Sequence, residues 1–198
     1  ENSKTCSNLA VPNSTGLLRD FSYRSLMIAR RKLQLPVIRA NNLSLPFRTE
    51  SVDVLVSTGV VHHTLDPIKA LSENCRVIRN GGWMYMKVYR YQSYYHFLHL
   101  FIGGPMRLLA KRGVFGRLVV EKWLFGVYKL VSKMFKPDRT QKDVHLRALF
   151  HDYFLNPQTM FLKTDAITTT LHKENMEFTL KQSGRPTNLY LVRKKIPS

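Results

Sequence analysis

The sequence predicts an α/β fold, Rossmann-like, with a mostly parallel sheet and a carboxyl-terminal antiparallel strand pair. Apolar, β-rich runs at 36–40, 52–57 and 83–89 alternate with segments whose apolar residues recur at helical spacing. Such alternation favours parallel strands covered by helices. The run at 52–57 is nearly continuous, so we expect a strand buried on both faces. The final segments "MEFTLKQ" and "NLYLVRKK" alternate polar and apolar residues instead, which predicts the antiparallel pair.

Two helices of the first half carry recognisable start and stop signals. The segment "YRSLMIARRKL" has helical spacing, with Ser22 as its candidate cap. The segment "DPIKALSENCRVIR" has Asp66 as its candidate cap, and we expect Gly81 and Gly82 to end that helix.

From residue 90 to residue 163 the alternation of strands and helices gives way to a helical pattern. Residues 90–139 hold ten basic residues but only two acids, Glu121 and Asp138. The segment "TDAITTTLHKEN" then predicts a last helix with Thr164 as its cap. These changes divide the chain into 1–89, a helical insertion at 90–163, and 164–198.

Composition limits the classes of partner. The chain of 198 residues is 44% hydrophobic and carries 31 Lys and Arg against 13 Asp and Glu, a formal charge of +18. That hydrophobic content excludes a disordered chain. The positive charge favours anionic partners, namely nucleic acid, phosphorylated substrates or an acidic membrane face.

Cysteine and histidine spacing argues against a metal site. Cys6 and Cys75 form neither a CxxC pair nor a zinc spacing, and two such cysteines are typical of a reducing compartment. His96 and His99 share a helix face without a third ligand, so we predict no metal. No signal peptide or membrane-length apolar run is visible. We therefore expect an intracellular, cytoplasmic protein, with peripheral membrane association as an alternative.

Four segments occur in an order and spacing that resemble one enzyme family. They are "DFSYRSLMIAR", "ANNLSLPF", "SVDVLVSTGVVHHTLDP" and "CRVIRNGGWMYMKVY". Together they resemble the class I S-adenosylmethionine-dependent methyltransferases of the methyltransferase type 11 kind. The resemblance is close over residues 16–89 and looser over the final helix and strand pair. It implies S-adenosylmethionine as the cofactor, bound across the carboxyl ends of the strands.

The resemblance implies roles for five residues in cofactor binding. Asp20 would accept hydrogen bonds from the ribose, with Phe21 beside it, although Asp20 as a helix cap is the alternative. Asn41 would accept from the adenine amino group and Asn42 would add its backbone N–H, although an ordinary turn is the alternative. Thr58 would flank the methionine end.

The resemblance also implies where the methyl acceptor would sit. His63 is the candidate base for an oxygen or nitrogen nucleophile, although a histidine pair that only fixes the loop is the alternative. Four aromatic residues follow the strand at 83–89 and would form a lid over the acceptor, although a helical core is the simpler reading of the aromatic residues in this segment. These lid residues are Tyr91, Tyr94, Tyr95 and Phe97.

One family feature is missing from the sequence. Family members begin with a strand and a Gly-rich turn of the form D-x-G-x-G, whereas "SKTCSNLAVPNST" contains no glycine. Without that strand, its neighbours in the sheet would lose their ladder partners. We therefore expect either that the chain is a fragment of a longer protein or that another segment takes this position.

Two functional classes follow. The first is methyl transfer to a small metabolite, a lipid-like molecule or a tRNA, because "HHTLDP" and the preceding strand also resemble tRNA wobble-uridine methyltransferases. The second is a non-catalytic methyltransferase-like module that binds RNA or an anionic membrane through residues 90–139. The segment "RLVVEKWLFGVYKLVSKMFK" has the composition of an interfacial helix, with Trp123 and Phe125 among lysines, although a helix packed on the domain fits equally.

Overall fold

A computed structural model of the protein describes residues 16–20, 23–135, 143–182 and 186–196. The strands are β1 (Leu18–Asp20), β2 (Val37–Arg39), β3 (Val52–Thr58), β4 (Ile78–Tyr89), β5 (Met176–Gln182) and β6 (Thr187–Lys194). The α-helices are α1 (Tyr23–Leu33), α2 (Pro67–Val77), α3 (Tyr94–Leu98), α4 (Gly104–Ala110), α5 (Gly113–Leu118), α6 (Phe125–Phe135), α7 (Asp143–Phe150) and α8 (Thr164–Lys173). A 3-10 turn covers Val61–His63, and π-helical segments cover His99–Gly103, Val119–Leu124 and His151–Leu155.

These strands form two sheets. The larger sheet has the order β3-β4-β6-β5, and β1 pairs with β2 in a separate two-stranded sheet. The pairs β1–β2 and β3–β4 are parallel, whereas β6 is antiparallel to both β4 and β5. The prediction of an α/β fold with a carboxyl-terminal antiparallel pair is confirmed.

The outer edge of β3 faces no partner strand within the part of the chain that the structure describes. In the same described ranges, no strand joins the β1–β2 pair to the larger sheet. The side chains of Val54 and Val56 are 53% and 39% exposed. The prediction of a strand buried on both faces is therefore wrong for β3, because the buried residues of the main core lie on the opposite face of the sheet.

That core forms where α2 and α8 pack on one face of the larger sheet. Every second residue of β4 points into it, as the two-residue period of a strand requires. Its fully buried members include Met84, Met86 and Val88 of β4, Leu71 of α2, Ile167 and Leu171 of α8, and Tyr190 and Val192 of β6. The alternation fixes the register of β4, since a slip by one residue would expose all three of its apolar residues.

The predicted caps have different outcomes. Oδ1 of Asp66 accepts a hydrogen bond from the N–H of Lys69 at 3.0 Å, so the cap of α2 is confirmed. The cap predicted at Thr164 is wrong, because α8 already includes Thr164 and its N-cap is Lys163. The Thr164 hydroxyl accepts from Nδ2 of Asn188 at 3.2 Å instead. Ser22 lies outside the described residues.

The glycines predicted to end α2 have another role. The helix ends at Val77 and β4 begins at once with Ile78. A Cβ on Gly82 would lie 2.9 Å from the carbonyl oxygens of both Arg79 and Asp53. Glycine is therefore required where β3 and β4 approach each other, at the irregularity in their register.

The helical segment that follows β4 has a core of its own. Phe150 packs with Val120, Phe125, Leu146 and Phe154 there. Phe125 is thus a core residue of the insertion, and the expectation that it belongs to an interfacial surface is wrong. The segment returns to the sheet at Leu162, which forms a bridge with Arg90. No described helix is both long enough and apolar enough to cross a membrane.

Candidate active site

Polar residues follow the carboxyl ends of neighbouring strands. Asp20 is the last residue of β1, and its carbonyl oxygen accepts from the N–H of Ala40 at 3.1 Å. Asn41 therefore lies two residues beyond the end of β2, just past the pairing of β2 with β1. Thr58 and Tyr89 are the last residues of the parallel strands β3 and β4. Phe21, the fifth predicted cofactor residue, lies outside the described residues.

The two asparagines differ in their environments. Asn41 is exposed, and its Oδ1 accepts a hydrogen bond from the N–H of Leu43 at 3.0 Å. This hydrogen bond forms the ordinary turn that was the alternative role for Asn41. A carbonyl oxygen has a second lone pair, so the turn leaves Asn41 able to accept from a ligand. Asn42 is only 5% exposed, and neither its Nδ2 nor its Oδ1 has a hydrogen-bond partner among the described residues. An orphaned buried amide is costly, so this position suits a ligand that supplies both a donor and an acceptor.

Space is left open at the end of β3. Thr58 is exposed, and Gly59 follows it with φ +77°, a left-handed conformation that favours glycine. A Cβ on Gly59 would meet no atom of the described residues within 4 Å. The N–H of Gly59 donates to the carbonyl of Lys87 at 3.2 Å, which holds the turn against β4.

A histidine, a carboxylate and a tyrosine meet beyond the end of β4. Nε2 of His63 lies 3.2 Å from Oδ1 of Asp152, and the Tyr89 hydroxyl donates to Oδ2 of Asp152 at 2.7 Å. His63 comes from the 3-10 turn after β3, Tyr89 from β4, and Asp152 from the π-helical segment of the insertion. Three separate parts of the chain thus contribute to one polar cluster.

Asp152 is held as a carboxylate. Burial by itself raises the pKa of Asp152, but the hydrogen bonds from His63 and Tyr89 outweigh it, and the pKa lies below its ordinary value of 3.8. Burial, followed by the Asp152 charge, raises the pKa of Tyr89 well above its ordinary value. Tyr89 therefore stays protonated and acts as a donor.

The surroundings of His63 define its tautomer. Oδ1 of Asn156 accepts from the N–H of Gln158 at 3.0 Å, which directs Nδ2 of Asn156 to Nδ1 of His63 at 3.2 Å. Thr159 Oγ1 lies 3.5 Å from the same nitrogen. Nδ1 of His63 is thus the acceptor, and its Nε2–H donates to Asp152. A molecule that uses the Nδ1 lone pair must displace Asn156 or Thr159.

His62 is a core histidine. It is 2% exposed, and its ring centroid lies 4.1 Å from that of Tyr89 and 4.4 Å from that of His63. Within the part of the chain that the structure describes, neither ring nitrogen has a hydrogen-bond partner. Burial and then the neighbouring His63 lower the pKa of His62 from 6.5 to about 3, so the ring is neutral at physiological pH.

The predicted lid residues fall into two groups. Tyr95 is 2% exposed, its ring lies 4.6 Å from that of Tyr89, and its hydroxyl donates to the carbonyl of Asp152 at 3.0 Å. Tyr91, Tyr94 and Phe97 are 37%, 62% and 50% exposed. Tyr95 thus anchors the insertion against the end of β4, and the other three face solvent.

His96 and His99 hold the insertion together. Nδ1 of His99 donates to the carbonyl of Tyr153 at 2.8 Å, and its Nε2 faces Arg107 at 3.2 Å. His96 stacks on Phe161 with ring centroids 4.5 Å apart. Among the described residues, no group of three or more His, Cys, Asp or Glu could hold a metal ion.

Sequence reasoning missed Asp152 and Asn156. Both lie in the insertion, far along the chain from His63, so no local spacing links them. The one available signal was Asp152 itself, an acid beside aromatic residues in "HDYF". A carboxylate in such surroundings needs hydrogen-bond donors, and His63 and Tyr89 supply them.

Comparisons with known proteins agree with the fold and the order of the motifs. Residues 4–86 match the family described as a methyltransferase domain. No curated protein sequence matches the chain.

Solved structures share the fold at low identity. A SAM-dependent methyltransferase from Thermotoga maritima is 16% identical with a TM-score of 0.53, covering 90% of this chain and 72% of its own. A Haloferax volcanii methyltransferase, solved with the activator Trm112, is 12% identical with a TM-score of 0.55, covering 91% and 72%. The cyclase SpnF is 11% identical with a TM-score of 0.53, covering 98% and 72%.

Likeness at such identities establishes the fold alone, and the cyclase among these structures illustrates that the fold does not fix the reaction. The family match covers the segments that carry Asp20, Asn41, Asn42, Thr58 and His63. Residues 4–86 are thus similar to a methyltransferase-domain family, and the chain has the Rossmann-like fold of S-adenosylmethionine-dependent methyltransferases.

Proposed function

We propose that the chain takes part in methyl transfer from S-adenosylmethionine, with the cofactor held at the carboxyl ends of β1, β2 and β3. The observation that carries the proposal is that Asp20 ends β1 while Asn41 follows the end of β2, the strand that pairs in parallel with β1. This edge of a parallel sheet is where nucleotide-like ligands bind in α/β folds.

The residues at this edge fit the adenosine half of the cofactor. The Asp20 carboxylate accepts hydrogen bonds, as two ribose hydroxyls require. The buried amide of Asn42 has no hydrogen-bond partner in the described ranges, and adenine offers both a donor and an acceptor. The open space beside Gly59 and the exposed hydroxyl of Thr58 suit the methionine half.

S-adenosylmethionine, when bound, supplies the methyl group as an electrophile. The protein has to align the acceptor and take up the proton that an oxygen or nitrogen nucleophile loses. In this proposal Nδ1 of His63 takes that proton, after the acceptor displaces Asn156 or Thr159. Asp152 stabilises the resulting imidazolium through its contact with Nε2.

The acceptor enters from the insertion side. The insertion joins the end of β4 through the contact of Tyr95 with Tyr89, and Asp152 of the insertion reaches His63. Tyr91, Tyr94 and Phe97 are the exposed aromatic residues nearest to this end of the strand along the chain. We propose that they contact the acceptor, which belongs to the small-metabolite, lipid-like or tRNA class.

Isothermal titration of the purified chain with S-adenosylmethionine tests the proposal. Saturable binding, weakened by substitution of Asp20 and Asn41, supports cofactor use at this edge. Absence of binding by a folded chain favours the second class, a methyltransferase-like module without catalysis. Adenosine and S-adenosylhomocysteine, titrated in parallel, separate binding of the adenosine half from binding of the whole cofactor.

A further inference from the structure

An apolar stripe lies exposed on the insertion. Its members are Trp123, Val127, Leu130 and Met134, whose exposed fractions are 77%, 57%, 62% and 72%. Val127, Leu130 and Met134 are three and four residues apart in α6, which places them on one face of that helix, and Trp123 precedes them near the end of the π-helical segment. Val120 and Phe125 of the same stretch are buried instead, in the core of the insertion. We call these four residues the outer stripe.

Such exposure is unusual for a surface that faces only water. Four large apolar side chains in a row exceed the scattered apolar residues of ordinary surfaces and mark an interaction site. Other strongly exposed apolar residues precede the stripe along the same segment, namely Phe101, Leu108, Val114 and Phe115. The insertion thus offers far more apolar surface than its own core can bury.

Positive charge accompanies the outer stripe. Lys122 is exposed directly beside Trp123, and Lys111 and Arg117 are exposed on the preceding turns. Between residues 90 and 135 the sequence has one acid, Glu121. An apolar face bordered by cations matches a membrane surface that contains anionic lipids.

A groove in the same segment adds to the cationic character. It has a volume of about 880 Å³, and Arg107, Lys111 and Arg117 contribute cations to its lining, with Glu121 as the carboxylate. Leu108 also lines it. Cationic and apolar groups therefore meet at one opening, as the headgroup and acyl chain of a phospholipid require.

We propose that the insertion docks on anionic membrane surfaces through the outer stripe, with helix α6 lying in the membrane–water interface. The alternative anionic partner, RNA, fits less well. Val127, Leu130 and Met134 have neither a ring on which bases stack nor a group that hydrogen-bonds to them. Trp123 is the residue type that membrane interfaces favour. The inference concerns association alone and does not depend on methyl transfer.

The two tryptophans of the chain make a matched fluorescence test. The Trp83→Phe variant keeps Trp123 as its only tryptophan, and the Trp123→Phe variant keeps Trp83. With vesicles of phosphatidylcholine containing phosphatidylserine, we expect a blue shift of Trp123 emission and quenching by brominated lipid. We expect neither for Trp83. Trp123 emission that does not change with these vesicles would overturn the proposal.

Vesicle sedimentation tests the two components separately. Leu130→Glu should lower the bound fraction at least tenfold, whereas Leu65→Glu, at a 74% exposed leucine outside the insertion, should not. Lys122→Glu should weaken vesicle binding by about fivefold or more, because each cation near an anionic surface contributes about that factor. Its control is Lys181→Glu, at an exposed lysine outside the insertion, which should not weaken binding. Equal losses in variant and control would contradict a defined docking face.

Bulk tRNA serves as the competing probe. Membrane docking predicts that Leu130→Glu weakens vesicle binding and leaves any tRNA binding unchanged. Tight tRNA binding together with no vesicle binding would overturn the proposal in favour of an RNA surface. Binding to neither probe would overturn it as well.

Discussion

Nε2 of His63 lies 3.2 Å from Oδ1 of Asp152, and this contact joins the turn after β3 to the helical insertion. Tyr89 at the end of β4 donates to the same carboxylate at 2.7 Å. The insertion is therefore fixed to the strand ends by hydrogen bonds to one ionised group. Stability and the proposed proton transfer both depend on that group.

Substituting Asp152 should destabilise the protein in a pH-dependent way. Asp152→Asn should lower the free energy of unfolding by about 1.5–3 kcal/mol at neutral pH, because hydrogen bonds to a charged group contribute about that much. The pKa of Asp152 is lowered in the folded state, so its contribution is present above the ordinary pKa of 3.8 and is lost as pH falls through the folded value. Urea unfolding at several pH values measures this.

Asp143→Asn is the control for that experiment. Asp143 pairs with Lys129 at a side-chain exposure of 59%, so its substitution should cost at most about 1 kcal/mol. A difference between wild type and Asp152→Asn that stays constant from neutral pH to about pH 3 would contradict the lowered pKa.

His62 should make the protein sensitive to mild acid. Its pKa is lowered from 6.5 to about 3, so the unfolded state binds a proton in this interval while the folded state does not. His62 therefore has no effect on the pH dependence of stability above pH 6.5. Below pH 6.5 it lowers the free energy of unfolding by about 1.4 kcal/mol per pH unit, down to about pH 3. His62→Phe should flatten this dependence in urea titrations, and the exposed His151→Gln should leave it unchanged.

Tyr94 and Tyr95 are adjacent and should respond in opposite ways. Tyr95 is 2% exposed, so Tyr95→Ala should cost about 3–5 kcal/mol, as large-to-small changes in a core do. Tyr94 is 62% exposed, so Tyr94→Ala should change stability by no more than about 0.5 kcal/mol. Equal effects on the thermal midpoint of unfolding would contradict the packing of the insertion on β4.

The sequence predicted correctly those elements whose structure depends on local patterns. The helix over 23–33, the strand pair at the carboxyl end and the Asp66 cap follow from spacing and residue type. The pattern "IRNGG" misled because glycines near a helix end usually stop it. Here Gly82 serves the close approach of β3 to β4, which only the tertiary structure reveals.

The candidate site could be predicted only in part. Asp20, Asn41, Asn42 and Thr58 lie at strand ends, and strand ends can be found from sequence. Asp152 and Asn156 come to His63 through packing of the insertion, a long-range contact that no local pattern encodes. The burial of Tyr95 beside exposed Tyr94 likewise depends on which helix face meets Tyr89.

Substitutions at Asn41 should separate hydrogen bonding from turn geometry. Asn41→Asp keeps an acceptor for the adenine amino group and for the N–H of Leu43, so cofactor affinity should be retained. Asn41→Leu removes both and should weaken S-adenosylmethionine binding by about tenfold. Circular dichroism checks the fold of both variants. A leucine variant that binds as tightly as wild type would place the adenine elsewhere.

A calorimetric titration of S-adenosylmethionine into wild type and the Asp20→Ala variant tests the proposed cofactor site most directly. Asp20 ends β1 and would accept hydrogen bonds from the ribose, so its loss should remove about 1.5–3 kcal/mol of binding free energy, or about tenfold or more in Kd. A cofactor site at the end of β1 predicts saturable binding by wild type and that loss in a folded variant. Absence of binding by folded wild type, or equal affinity of the two proteins, would contradict a methyltransferase cofactor site at this edge of the sheet.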